Sequence, residues 1–167
     1  MPEQQTIVPK ETISFEGIFS IKELRDLIMD WIFAKAYVPI EAKAQQVFKK
    51  DAKFFEFNFK PYKKLSDYAK SVIKITVSAF DCKDVNVTIA GKKKKMQEGK
   101  VVIKVEGILE TDYEAKWEKP WLYAMRVIAE KYILAPFISN HAKYVENETH
   151  QIISQIRGYL NISKRYK

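Results

Sequence analysis

The chain has 167 residues, 47% of them hydrophobic and 13% aromatic, enough to bury the core of one domain of ordinary size. Five glycines and six prolines exclude low-complexity character, a single cysteine (Cys82) excludes an internal disulfide framework, and no apolar run is long enough to span a bilayer. The net charge of +8 is uneven: Lys43 to Lys104 holds 16 lysines against 6 acids, and the remainder is slightly acidic.

Residues 1–11 read as a polar, flexible tail, without the basic start and apolar core of a secretory leader, so a cytoplasmic location is the default. A single α+β domain is expected over 12–163, with a basic tail at 164–167. Thr12 to Ile18 alternates as a short edge strand. Ser20-Ile-Lys-Glu23 has the spacing of a capping box, and Leu24, Leu27, Ile28, Trp31 and Ile32 come after it as one helical stripe that ends near Pro39.

The middle alternates with period two. Glu41 to Lys50 is a polar strand candidate, and Phe55, Phe57 and Phe59 share one face of the next strand, with Phe54 on the other. Lys60 to Lys64 reads as a turn. Ile73, Ile75, Val77 and Ala79 then mark a buried face, Asp81 to Asp84 a second turn, and Val85, Val87 and Ile89 a further strand. Gly91 to Gly99 reads as a glycine-bounded loop tipped by Lys92, Lys93, Lys94 and Lys95, before Val101, Ile103, Val105 and Leu109 resume the alternation. Such a run is an antiparallel meander of about five to six strands with one buried face.

Trp117-Glu-Lys-Pro120 is expected to start a helix, with Pro near its first turn and Trp121, Leu122, Met125, Ile128, Ala129, Tyr132 and Ile133 as its apolar set, broken or kinked at Pro136. A last helix is expected from about Asn140 to Leu160, with Tyr144, Val145, Ile152, Ile153, Ile156, Tyr159 and Leu160 inward. Helices at both ends of a meander define an α+β fold in which they cover one sheet face.

The segments Ser66-Asp-Tyr68 to Lys83-Asp-Val85, Gly91 to Met96, Asp112-Tyr113, Trp117-Glu118 and Glu130 to Ile133 resemble a group of small proteins of reduced-genome (DPANN-type) archaea. The resemblance covers the last two-thirds of the chain and implies no activity. In topology alone, the element order is similar to the helix-grip fold of the START and Bet v 1-like superfamily, in which a curved sheet wraps a C-terminal helix around an apolar cavity.

Chemistry is sparsely marked. His141 and His150 lie nine residues apart, half a turn out of phase on one helix, so they do not form a ligand pair, and no metal or cofactor is implied. The glycine-bounded loop lacks the ending of a phosphate-binding loop. Glu106, Glu110, Asp112 and Glu114 share a strand face opposite the apolar one, where cross-strand pairing with Lys70 and Lys74 accounts for them better than glycoside chemistry.

These residues allow two functions. In the first, a non-enzymatic binding protein holds a hydrophobic ligand or partner segment in a groove lined by Phe55, Phe57, Phe59, Trp117, Trp121, Met125 and Tyr132. In the second, a basic adaptor binds nucleic acid or another polyanion through Lys60, Lys63, Lys64, Lys92, Lys93, Lys94 and Lys95, helped by the tail cations Lys164, Arg165 and Lys167. The meander-plus-helix order and the aromatic load favour the first, and with only 4 of the 29 cations Arg, the residue suited to bidentate phosphate recognition, the lysine excess also reads as a solubility feature.

Overall fold

The computed structural model describes residues 3–48, 52–111 and 120–165. It is an α+β fold built on a six-stranded antiparallel sheet. Strand β1 (Glu3–Phe19) leads into helix α1 (Ile21–Ala34), followed by β2 (Glu41–Phe48), β3 (Lys53–Phe59), β4 (Tyr62–Lys64), β5 (Ala69–Ile89) and β6 (Lys92–Thr111). Helix α2 (Pro120–Ala129), a π-helical turn (Glu130–Leu134) and helix α3 (Ala135–Ser163) follow. The sheet order is β1-β6-β5-β3-β2, with β4 also paired to β5, so the first strand lies against the last.

The expected parity holds. Ile73, Ile75, Val77 and Ala79 of β5 and Val101, Ile103 and Val105 of β6 are buried in one core with Ile13 and Phe15 of β1. Leu24, Ile28, Trp31 and Ile32 of α1 and Ile152, Ile153, Ile156 and Leu160 of α3 cover that face. On the opposite face, register pairs Lys70 with Glu110 and Lys74 with Glu106, at 3.0 and 3.9 Å. Phe54 points away from Phe55 and Phe57 and meets Phe80, with ring centroids 5.2 Å apart. Asp112 and Glu114 fall in 112–119, outside the described residues.

Several segments differ from expectation. Residues 3–11, read as a tail, belong to β1 and pair with β6; Pro9 disguises them, since it removes a ladder donor, but it sits on an edge strand within the register shift between Val8 and Glu11, where that donor is not needed. Asp81 to Asp84 is not a turn but a bulge within the single strand β5, where Asp81 takes a left-handed φ of 53°. Gly99 faces that bulge, and a Cβ there would lie 2.7 Å from the Phe80 carbonyl oxygen. Gly91 to Gly99 is not a loop: the turn is only Ala90-Gly91, both at positive φ (49° and 77°), as a two-residue hairpin requires, and Lys92 to Lys95 are strand residues paired with Ile89 to Asn86. The segment Lys60 to Lys64 likewise contains β4 and is not wholly turn.

The C-terminal helices differ too, because the helical path does not break at Pro136. Proline cannot donate to the carbonyl four residues earlier and its ring crowds that carbonyl, and the wide turn at Glu130–Leu134 just before it takes up the misfit. Of the two helices, α3 packs on β1, β5 and β6, whereas Met125 and Ile128 of α2 stand in solvent. Among the described residues no helix is long and apolar enough to cross a membrane.

Helix α3 lies hard against the sheet at Gly107, where a Cβ would meet Thr149 Oγ1 at 2.3 Å. Gly107→Ala is therefore expected to destabilise the protein by about 2 kcal/mol, as overpacking does. Gly158→Ala, whose Cβ meets nothing within 4 Å, is expected to stabilise it by about 1 kcal/mol through helix propensity. Urea midpoints of the two variants should move in opposite directions.

Candidate functional site

The start of α1 is fixed by three separate partners. The Ser20 hydroxyl accepts from the Glu23 amide at 3.3 Å, as the capping motif predicts. The reciprocal half is made differently: the Ser20 amide donates to the Tyr159 hydroxyl of α3 at 3.0 Å, and the Glu23 carboxylate is left to accept from that hydroxyl at 3.2 Å. The Ile21 amide donates to Gln97 Oε1 of β6 at 3.1 Å. The first turn of α1 is thereby held at a set height over the sheet.

An open groove of about 850 Å³ lies beneath it. Phe55 and Phe57 of β3 and Ile21 supply apolar surface, and Gln46 of β2 borders it. The Phe57 ring stacks on Phe59 at 6.5 Å, and the Arg25 guanidinium lies 5.5 Å from the Phe57 ring centroid. Lys22, Arg25, Lys94 and Lys95 line the groove against two acids, Glu23 and Asp26. Lys94 pairs with Glu23, and Lys95 reaches Asp84 at 3.1 Å. Hydrogen bonds from Lys53, at 2.6 Å, and from Lys95 hold the Asp84 carboxyl at about 2, below its ordinary value.

The expected groove residues therefore divide. Phe55 and Phe57 line the groove, and Phe59 is buried in the core beside them. Met125 and Tyr132 stand exposed on the C-terminal helical segment and do not line it. Trp117 and the Trp121 side chain lie outside the described residues. The lysines divide as well. Lys94 and Lys95 join the phenylalanines, Lys92 and Lys93 are exposed along β6, and Lys60 and Lys64 are exposed around β4. Lys63 is committed elsewhere, donating to the Tyr144 hydroxyl at 3.0 Å and the Lys35 carbonyl at 2.9 Å. His141 and His150 both lie on α3, and His150 Nδ1 is 3.8 Å from Glu11.

Lys63 belongs to a polar cluster that the sequence did not announce. Tyr37 and Ser71 share a buried hydrogen bond of 2.8 Å, and Lys35 pairs with Glu148 at 3.2 Å. Burial raises the Tyr37 phenol well above its ordinary value. Glu148 Oε2 is buried with no hydrogen-bond partner among the described residues. The legible signal was an acid on the inner stripe of the last helix, four residues after Tyr144. The cluster ties the exit of α1 to α3 and β4.

The bulge beside the groove makes two measurable differences. Burial, then the nearby Asp81 and Asp84, push the Cys82 thiol up to about 11, so it should react slowly with a disulfide reagent at pH 8 and quickly once unfolded; absorbance at a fixed urea series checks this. Asp84 has a folded pKa below its unfolded one, so its stabilising contribution is present above about pH 4 and is lost as pH falls toward 2. Wild type should lose more stability than Asp84→Asn over that window, as read by denaturant titration at each pH.

No protein-family model matches the chain, and no curated protein matches it.

Proposed function

We propose that this is a non-enzymatic binding protein that takes an amphipathic, negatively charged ligand in the groove between α1, β3 and β6. A long-chain carboxylate is the simplest such molecule. The observation that carries the reading is the convergence of two sets of residues, Phe55 and Phe57 beside Lys94 and Lys95, with Lys22 and Arg25 completing a cationic border. An alkyl chain laid on the two rings removes apolar surface from water at roughly 25 cal/mol per Å². A carboxylate at the rim meets four cations and two acids, a balance that favours an anion. The core between α3 and the sheet is filled by Ile152, Ile153 and Ile156, so the groove, not the interior under α3, is the place for a ligand. The pairing of β1 with β6 and the seating of α3 on the covered face support the likeness to the helix-grip fold.

The polyanion reading remains as a second one, because Lys92 and Lys93 continue the row of exposed cations beyond the groove. It is the weaker, since Lys94 and Lys95 already face Glu23 and Asp84.

Calorimetric titration separates the two. Dodecanoate should bind saturably, and dodecanol, its uncharged analogue, more weakly. Lys94→Gln combined with Lys95→Gln should reduce dodecanoate affinity by about fivefold, the weight of contacts worth up to about 1 kcal/mol each at an exposed rim. Absence of dodecanoate binding, or affinity unchanged in the double variant, overturns the proposal. Tight oligonucleotide binding lost in that variant would establish the second reading instead.

A further inference from the structure

The helical segment that leaves the sheet carries its large apolar side chains outward. Met125, Ile128, Tyr132, Ile133 and Phe137 are each 55–72% exposed. In an unbroken α-helix Phe137, twelve residues after Met125, would lie about 120° round the axis from it. The π-helical turn at Glu130–Leu134 holds one more residue than an α turn and rotates the residues beyond it back by about 100°. Phe137 is thereby returned to within about 20° of Met125. The irregular turn thus gathers five apolar side chains into one ridge along a single helix, a ridge that β1, β5 and β6 do not cover.

We propose that this ridge lies in the surface of a negatively charged lipid bilayer. Three observations choose that occupant. First, the ridge is convex and runs along one helix, so it fits a deformable surface that needs no matching shape. Second, the helical stretch from Pro120 to Lys143 contains three cations, Arg126, Lys131 and Lys143, against one acid, Glu130, and the whole chain carries +8. A second copy would set +8 against +8, whereas an anionic surface is complementary. Third, the ridge mixes aliphatic residues with Tyr132 and Phe137, and the exposed Lys131 ammonium rests 5.7 Å from the Tyr132 ring centroid. Apolar side chains with a lysine and a tyrosine among them are the composition of helices that lie in the headgroup region without crossing it. The ridge is separate from the α1–β3–β6 groove and does not depend on what that groove binds.

The test is co-sedimentation of the full chain with vesicles of phosphatidylcholine containing about 30% phosphatidylglycerol, beside vesicles of phosphatidylcholine alone. Partition onto the anionic vesicles should exceed that onto the neutral ones by at least about tenfold. It should fall by at least about tenfold in Ile128→Asp and in Phe137→Asp, both at exposed positions that leave the core intact. Phe137→Ser, which adds no charge, should give an intermediate loss. A variant with Lys92 to Lys95 changed to glutamine should keep most of the binding. No partition onto anionic vesicles overturns the proposal, as does partition that survives the aspartate substitutions. A dimer in sedimentation velocity that Phe137→Asp dissolves also overturns it and assigns the ridge to a second copy.

Discussion

Helix α3 can lie as deep against the sheet as it does because Gly107 has no side chain. Thr149 occupies the space a Cβ would need, and its hydroxyl, so close to strand backbone, is satisfied by donating to the Val145 carbonyl at 2.6 Å. From that point the helix runs with Ile152, Ile153, Ile156 and Leu160 against β1, β5 and β6. Burying each isoleucine is worth roughly 2 kcal/mol, but only if the helix stays at that depth. The depth is also felt at the far end of α3. Tyr159 reaches the start of α1 with its hydroxyl, and so the height of α1 over the sheet is set by where α3 sits.

The groove depends on the same chain of contacts. The first turn of α1 is anchored to Tyr159 on one side and Gln97 on the other, and neither anchor draws it down onto Phe55 and Phe57. Those two rings remain half-buried, while Phe59, two residues on, is sealed in the core. The bulge in β5 lies opposite Gly99, and beyond it on the β5–β6 hairpin Lys94 and Lys95 border a groove whose opposite side is α1.

What could be read from the amino acids alone was the part governed by one face and one period. The alternation of Ile73 to Ala79 against Val101 to Val105 gave the buried face, and it gave the pairing of Glu106 and Glu110 with Lys74 and Lys70 without any knowledge of register. The α1 stripe and the inner side of α3 were legible for the same reason. Failures came where neither face is apolar or where a local signal has two meanings. Lys92 to Lys95 form a two-stranded ribbon exposed on both sides, so no alternation marks them as strand. Asp81 tolerates a left-handed backbone, which serves a turn and a bulge equally well. The apolar set of the C-terminal helical segment is legible in the sequence but its cover is not, because a stripe records that a surface avoids water and not what covers it. The seven residues expected in one groove divide for that reason: Phe55 and Phe57 line it from the sheet, and Met125 and Tyr132 stand on the ridge.

The lysine-rich middle shows why a formal charge count overstates an electrostatic surface. Sixteen lysines lie between Lys43 and Lys104, yet several are answered across the fold: Lys53 and Lys95 by Asp84, Lys70 by Glu110, Lys74 by Glu106 and Lys94 by Glu23. Three of those four acids lie within the segment or just beyond it, and the last arrives from α1, which the linear count assigns to the acidic remainder. Folding therefore moves negative charge onto the sheet and dilutes the segment's excess. The answered lysines are not removed from use, because an exposed ion pair is worth at most about 1 kcal/mol and an arriving carboxylate can compete for the cation. That exchange suits a single anionic head at the groove border, where Glu23 holds Lys94 and Asp84 holds Lys95. It suits a nucleic-acid backbone less well, since phosphate contacts at Lys94 and Lys95 would each have to displace an acid already in place.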